Sequence, residues 1–171
     1  MGELQAHIRL SGEDRTKYAL LPGDPGRIDH IKTFLTDVKE LAYNRELRSV
    51  SGYYKGVRVL AVSTGMGGAS TGIAVEELHN IGVEYMIRIG SCGALDPAMR
   101  LGELLIVNGA VRDDGTSKAY VESTFPAIPD TGLLMHVIQA AKECGVPYYV
   151  GKARSHDSFY IDGEEEINKY W

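Results

Sequence analysis

The sequence contains few of the residues that indicate a disulfide framework, a metal site or a membrane span. Cys92 and Cys144 are its two cysteines, and their wide separation fits neither a disulfide framework nor a metal-binding pattern. The five histidines also lack metal-ligand spacing. No apolar run is long enough to cross a bilayer, and no signal peptide follows Met1. We therefore expect a cytoplasmic protein that needs no metal and does not contact a membrane.

Positive charge is also scarce, because the formal net charge is -5 and the lysines and arginines form no basic block. Nucleic acid is therefore not an expected partner. The chain has 171 residues, of which 44% are hydrophobic, so a single domain with a substantial core is the default expectation. The run Glu164 to Glu166 near the end of the sequence indicates the solvated start of a helix.

Strands and helices alternate along the chain, which predicts an α/β fold with a mostly parallel sheet. Apolar runs predict the strands, and residues 39–60 read as a hairpin. Apolar residues spaced three and four apart predict the helices, and Gly82 and Gly145 act as stop signals. The predicted strands are 18–21, 57–62, 85–89, 104–111 and one beginning at 148; the predicted helices are 28–35, about 70–80 and 131–144.

Three loops rich in glycine and small residues follow predicted strands: PGDPGR at 22–27, STGMGGAST at 63–71 and GSCGA at 90–94. In parallel sheets, ligands bind beyond the carboxyl ends of the strands. Glycine allows the backbone to approach a ligand and to turn its N–H groups toward it. These loops therefore predict a binding site at one edge of the sheet.

The first two loops each have an alternative interpretation. PGDPGR is either an anion cradle, built from Gly23, Gly26 and the guanidinium of Arg27, or an ordinary turn with a solvated arginine. The second loop matches neither common nucleotide motif. Ile73 stands where a Walker A loop needs lysine, and Ser70 stands where GxGxxG needs its third glycine. The sequence therefore predicts neither ATP nor NAD binding, although a small polar ligand still fits this loop beside the following helix.

Arg88 is the sharpest single indication of chemistry, because it lies within an apolar stretch that predicts a buried strand. A buried charge without a partner is very costly. A guanidinium binds a tetrahedral oxyanion through two parallel hydrogen bonds, and Ser91 adds a hydroxyl beside it. The structural alternative is a salt bridge from Arg88 to Glu84 or Glu103. Cys92 has no base beside it in sequence and is therefore expected to be a small core residue.

Five segments, taken together, carry a family resemblance that extends over nearly the whole chain. They are LPGDPGR, AYNRELRSVSGYYKG, STGMGGASTGIAVEEL, IRIGSCGA and SHDSFY. In order and spacing they resemble the nucleoside phosphorylases of the uridine phosphorylase and hexameric purine nucleoside phosphorylase type. The resemblance implies a three-layer α/β fold, with a mostly parallel mixed sheet and helices on both faces. It also implies that residues 1–171 form one phosphorylase domain that lacks its C-terminal portion, including a glutamate that binds the ribose diol.

The resemblance further implies a pentosyltransferase that cleaves a nucleoside with inorganic phosphate, to free base and ribose 1-phosphate, without a cofactor. Its partners would be the nucleoside, phosphate and further copies of itself, as dimers building to a hexamer with shared active sites. The implied residues fall into three groups. Phosphate would be held by Gly23, Arg27, Arg88, Ser91 and the neighbouring subunit's equivalent of Arg45; ribose by Met66 and the neighbour's equivalent of His7; and the base by Cys92, Gly93, Phe159 and Tyr160.

The preferred base stays open between two branches of the family. Glutamates follow FYIDG where the uridine branch carries a Gln-x-Arg pair, and GSCGA resembles the purine branch. STGMGGASTGIAVEEL and VRDDGTS instead resemble the uridine branch, so the prediction leans slightly to uridine. A nucleoside hydrolase of the same fold would not need Arg27 and Arg88. A phosphate- or nucleoside-binding protein without catalysis is the alternative if the chain ends at Trp171.

Overall fold

The computed structural model describes residues 3–160, so the predicted helix start at Glu164 to Glu166 lies outside the described residues. The chain divides into two compact units, Met1–Ser91 and Cys92–Trp171, and each has a sheet of its own. Among the described residues, no helix has the length and apolar character needed to cross a membrane.

The first unit contains a five-stranded mixed sheet in the order β2-β3-β4-β1-β5. Strand β1 runs parallel to both β4 and β5, whereas β2, β3 and β4 form an antiparallel meander. The segment predicted as a hairpin is therefore three strands. The elements of this unit are a short 3₁₀ helix (Gly12–Asp14), β1 (Tyr18–Pro22), α1 (Arg27–Lys32), β2 (Thr36–Asn44), β3 (Leu47–Tyr54), β4 (Val57–Val62), α2 (Gly68–Asn80) and β5 (Tyr85–Ile89).

Helix α2 covers one face of this sheet and forms the main core with it. Its residues Ala74 and Leu78 are fully buried, and Ile81 directly after the helix is nearly so. They pack in one cluster with Leu21 and Leu60 of the parallel strands. Complete burial of a leucine side chain contributes about 1.5–3 kcal/mol. The predicted spacing of 74, 78 and 81 is thus confirmed as the face that holds α2 on the sheet.

The other face of the sheet carries an open apolar groove of about 750 Å³. Residues Tyr85, Ile87 and Ile89 of β5 line it beside α1. The prediction of a buried β5 is therefore wrong for the described residues: Tyr85 and Ile87 are only partly buried, and Ile89 is 42% exposed. Strand β5 is the last strand of this five-stranded sheet.

Helix α1 ends at Lys32, three residues earlier than predicted. The next three amides, those of Thr33, Phe34 and Leu35, each donate to a carbonyl three residues earlier. This tighter hydrogen-bond pattern is typical of a 3₁₀-type helix end. The apolar residues at 28, 31, 34 and 35 thus extend past the end of the α-helix into this 3₁₀-type turn.

The second unit is built on two long parallel strands. Between them lie a short helix and a longer one, and Asp130 caps the longer one by accepting a hydrogen bond from Leu133 N at 2.7 Å. Gly145 follows that helix with φ +65, the left-handed conformation that glycine supplies at helix ends. The predicted helix 131–144 and its stop are confirmed. The elements are β6 (Leu104–Asp113), α3 (Gly115–Tyr120), α4 (Thr131–Glu143) and β7 (Tyr148–His156).

Helix α3 and the loop after it are organised by Arg112, at the end of β6. Its guanidinium donates to Ser117 Oγ at 3.1 Å and to the carbonyls of Ser117 at 2.7 Å and Val121 at 2.8 Å. It also donates to the carbonyls of Glu122 and Phe125, at 2.6 and 2.8 Å. A single side chain thus pairs with four carbonyl groups of this helix and loop.

An ion-pair network joins α1 to β2 and β3. Arg48 donates two parallel hydrogen bonds to Asp29, at 2.9 and 2.8 Å, and Lys32 donates to Glu40 at 2.5 Å. The hydrogen bonds from Arg48 and then Lys32 lower the pKa of Asp29 from 3.8 to about 2. A carboxyl with a depressed folded-state pKa stabilises the fold above its ordinary pKa and loses that contribution as the pH falls.

We expect Asp29→Asn to lower the unfolding midpoint in urea at pH 7, and we expect the loss to shrink as the pH falls from about 4 to about 2. The effect is small, because this carboxylate is largely exposed and solvent screens such pairs. Urea unfolding of both proteins across this pH range measures it. Glu13→Gln, at an exposed glutamate outside this network, is the control. A midpoint difference that does not change with pH would contradict the role of the network.

Candidate active site

Glycine-rich loops that follow the parallel strands of the first unit meet at the carboxyl edge of its sheet. Strand register pairs Pro22 with Ile89, so the chain leaves β1 and β5 side by side. The loop after β4 is tied to the loop after β1 by hydrogen bonds from Thr64 N to Pro22 O and from Gly65 N to Gly23 O, both 2.9 Å. The predicted meeting of glycine loops at one edge is thereby confirmed within this unit.

The guanidinium of Arg88 lies over two of these glycines. A Cβ atom added to Gly23 would lie 3.3 Å from Arg88 Nη2, and one added to Gly90 would collide with Arg88 Nη1. The same Cβ on Gly23 would lie 3.3 Å from the carbonyl oxygen of Gly65. The guanidinium of Arg88 thus occupies the space above the backbone at Gly23 and Gly90.

Arg88 makes no hydrogen bond or ion pair through its side chain within the part of the chain that the structure describes. Glu84, the first alternative partner, instead pairs with Arg15 at 3.4 Å and lies 4.0 Å from Lys17. Glu103, the second, accepts a hydrogen bond from Arg100 N at 2.7 Å. The salt bridge to Glu84 is therefore not formed, and Glu103 is engaged elsewhere. The guanidinium is exposed and available to an anion from solution.

Helix α2 begins at the same edge of the sheet as this guanidinium, and its N-terminus also favours negative charge. It begins at Gly68, two residues before the predicted start, and Gly67 precedes it with φ +102. The N-cap residue is glycine, which has no side chain to cap the first turn. The Ser70 hydroxyl in that turn is directed to Glu46 Oε1 at 2.7 Å and to the carbonyl of Thr64. The first N–H groups of a helix have no partner within it and favour negative charge. Met66 precedes this terminus and is 95% exposed.

Arg27 lies at the same edge of the sheet. It is the first residue of α1, and the loop before it is shaped by Asp24, whose Oδ1 accepts from Gly26 N at 2.8 Å. The side chain of Arg27 lines the apolar groove together with Pro22 and Ile89. The structure therefore places Arg27 at the edge that carries the candidate site, beside the apolar groove.

Arg45 occupies the turn between β2 and β3, with φ +55. This turn lies at the same edge, because Ser63 after β4 donates to Glu46 O at 2.6 Å. Strands β4 and β1 lie between β3, which follows this turn, and β5, which carries Arg88. At about 4.8 Å per strand, β3 and β5 are roughly 14 Å apart.

His7 is held from both sides, next to the β2–β3 turn. Its ring Nδ1 lies 2.6 Å from Glu77 Oε1, and Asn44 Nδ2 donates to its carbonyl at 2.8 Å. The backbone N–H of His7 and that of Ile8 also donate to the Glu77 carboxylate. Glu77 is 8% exposed and lies on the buried face of α2, where a charged residue among Ala74 and Leu78 was the available sequence signal.

The remaining predicted site residues lie at the end of the first unit and in the second. Ser91, Cys92 and Gly93 follow β5 and are exposed, so the expectation of a core cysteine is wrong. The chain leaves the edge of the first sheet at this point, which explains the exposure. Phe159 and Tyr160 are 88% and 91% exposed, and their rings meet edge to face with centroids 5.0 Å apart. Residues 3–160 include no cluster of three or more metal-ligating side chains.

The fold and this edge define an α/β protein of mixed sheet topology with a candidate oxyanion site at the carboxyl ends of parallel strands. Residues 17–171 match the sequence profile of the Phosphorylase superfamily, and the chain belongs to that superfamily.

Relatives of two substrate types are about equally similar. The chain is 44% identical to a uridine phosphorylase of Thermococcus kodakarensis over 98% of its length, and 43% identical to a purine nucleoside phosphorylase of Plasmodium vivax over 93%. It spans 61% and 65% of those two relatives. The solved structure of uridine phosphorylase from Vibrio fischeri superposes with a TM-score of 0.95 at 42% identity, over 100% of this chain and 71% of that one.

Proposed function

We propose that this protein catalyses phosphorolysis of a ribonucleoside, with inorganic phosphate as co-substrate, to a free base and ribose 1-phosphate. A phosphate oxygen attacks C1′ of the ribose as the bond from C1′ to the base nitrogen breaks. The electron pair of that bond leaves with the base, which takes up a proton. The observation that supports this proposal is the Arg88 guanidinium, which lies over Gly23 and Gly90 and has no carboxylate partner in residues 3–160.

Charge explains why such a group is needed. Positive charge develops on the sugar in the transition state, as in glycoside hydrolysis, and a phosphate dianion held in line both stabilises that charge and attacks. Arg88 fixes the dianion, the α2 N-terminus adds N–H groups, and Gly23 lets the backbone come close. Ser91 supplies a hydroxyl. Arg27 joins the site after a rotation of its side chain out of the apolar groove.

Each active site is shared between two chains in this proposal. Arg45 and His7 lie at the far side of the sheet from Arg88 and serve the site of a neighbouring copy. Arg45 contacts the neighbour's phosphate and His7 the neighbour's ribose 5′-hydroxyl. Such exchange is reciprocal in a twofold dimer, and dimers build the hexamer. Met66 lies against the ribose, and Cys92, Gly93, Phe159 and Tyr160 lie near the base.

We further propose that the two compact units belong to one phosphorylase domain of three layers, with helices on both faces of its sheet. The relatives extend beyond the matched length, so the domain as given corresponds to about two thirds of theirs. Uridine is the proposed substrate, from the likeness of STGMGGASTGIAVEEL and VRDDGTS to the uridine branch. Purine nucleosides are the alternative, favoured by GSCGA and by the nearly equal identity to the Plasmodium vivax enzyme.

The test compares uridine, thymidine, inosine and adenosine as substrates. We expect base release to depend on phosphate and uridine to have the highest kcat/KM. Base release followed by absorbance, with ribose 1-phosphate measured separately, provides the readout. Inosine or adenosine as the best substrate would assign the purine branch. Base release without phosphate would indicate a hydrolase, and binding of uridine without product would indicate a binding protein.

A further inference from the structure

The carboxylate of Glu77 accepts hydrogen bonds from the backbone of His7 and Ile8 and contacts the ring of His7. His7 N donates to both oxygens, at 3.1 and 3.0 Å, Ile8 N donates to Oε2 at 2.8 Å, and the His7 ring nitrogen Nδ1 lies 2.6 Å from Oε1. Such a set fixes the position of His7 by both its backbone and its ring. Because Asn44 also holds the carbonyl of His7, little freedom is left to this residue except at its exposed edge.

The protonation of Glu77 follows from these contacts. Burial opposes its ionisation, but the hydrogen bonds from Ile8 N, from the His7 ring and from His7 N outweigh burial and lower the pKa of this carboxyl. At neutral pH Glu77 is therefore a carboxylate, which can only accept hydrogen bonds. The ring atom facing it, Nδ1, must then carry a proton. In a neutral imidazole the other nitrogen, Nε2, is left as an acceptor.

We propose that Glu77 is a positioning residue that holds His7 in the Nδ1–H tautomer, so that Nε2 accepts a hydrogen bond from the 5′-hydroxyl of the nucleoside bound in the neighbouring copy. The inference rests on the proposed function, because it assigns the atom by which His7 recognises ribose. It also defines a specificity. The site favours a 5′ group that donates a hydrogen bond to Nε2, and it disfavours a 5′ group that can only accept one.

Glu77→Gln tests this assignment because an amide has one accepting oxygen where the carboxylate has two. Ile8 is fully buried, so its N–H keeps the amide oxygen, since an unpaired buried donor is costly. The amide NH₂ then faces His7 Nδ1 and forces that atom to accept. The His7 proton moves to Nε2, which becomes a donor. Because a hydroxyl and an ether oxygen both accept a hydrogen bond, the preference for a 5′-hydroxyl is then lost.

The experiment compares kcat/KM for uridine and 5′-O-methyluridine at about pH 8.5, where imidazoles are neutral. The methyl ether has the same bulk in wild type and variant, so steric effects cancel when the two ratios are compared. We expect the preference for uridine to fall about tenfold in Glu77→Gln and to be unchanged in the control Glu76→Gln, an exposed neighbour on the same helix. An unchanged preference in Glu77→Gln would overturn the inference.

A second measurement does not depend on activity. Nitrogen-15 NMR of the imidazole rings distinguishes the two tautomers, and the His7 signals are those that vanish in His7→Asn. We expect Nδ1–H in wild type and Nε2–H in Glu77→Gln, and Nε2–H in wild type would refute the inference even if the variant failed to fold. If no nucleoside is cleaved, the proposed function fails while the tautomer result still stands.

Discussion

Replacing Arg88 with methionine is expected to lower kcat/KM for phosphate by about 10²–10³, the loss that follows removal of one preorganised donor to a developing or attacking anion. Methionine keeps an unbranched apolar stem but removes the guanidinium that lies over Gly23 and Gly90. Because this guanidinium has no carboxylate partner among the described residues, its removal leaves no unpaired charge in the protein. We therefore expect the unfolding midpoint to change little, while the KM for phosphate rises and turnover falls.

Two further variants separate geometry from charge. Arg88→Lys keeps a positive charge but loses the two parallel hydrogen bonds of a guanidinium, so it should recover only part of the activity. Arg15→Met removes an exposed arginine that pairs with Glu84 and should leave phosphate kinetics unchanged. Initial rates at varied phosphate, with thermal melts of each variant, provide the data. Unfolding of Arg88→Met would instead show that Arg88 is structural.

The sequence predicted much of the first sheet because its central strands are short apolar runs and the face of α2 follows a helical period. The loops were predictable for the same reason, since glycines placed directly after strands indicate the carboxyl edge. What those patterns lacked was sheet order. Nothing in Tyr85 to Ile89 distinguishes a strand inside the sheet from one at its margin, and β5 is at the margin.

The features that sequence reasoning missed depend on single side chains that meet distant backbone. Helix α3 has six residues and no apolar stripe, and it is held through the carbonyl contacts of Arg112. Glu77 has a weak signal, a carboxylate on an apolar helix face, but its partners lie about seventy residues earlier in the chain. Local propensity carries no information on such contacts, because they form only when the tertiary fold brings both segments together.

Arg88 is predicted as a site residue because a buried cation must have a partner, but the structure shows the residue to be exposed. Among the described residues it has no carboxylate partner, so its guanidinium is available to an anion from solution, which supports the same proposal on different grounds. In the proposed function, Arg45 and Arg88 of one chain serve different active sites.

Mixing two inactive variants tests the proposal that each active site is shared between two chains. Arg45→Ala and Arg88→Ala should each be nearly inactive alone, but mixing them under conditions of subunit exchange should restore activity. In a mixed dimer, one site combines both defects and the other receives an intact Arg45 and an intact Arg88. With equal amounts, half of the dimers are mixed and half of their sites are intact, so we expect about a quarter of wild-type activity per chain.

The matched control mixes Arg45→Ala with His7→Asn. Both residues lie on the same side of the sheet, tied to the β2–β3 turn by the hydrogen bond from Asn44 to the His7 carbonyl. Every site in that mixture receives one defective contribution, and activity should stay low. Restoration in both mixtures would mean that His7 and Arg45 serve different sites, and restoration in neither, with exchange verified by mass spectrometry, would mean that each chain holds its phosphate alone.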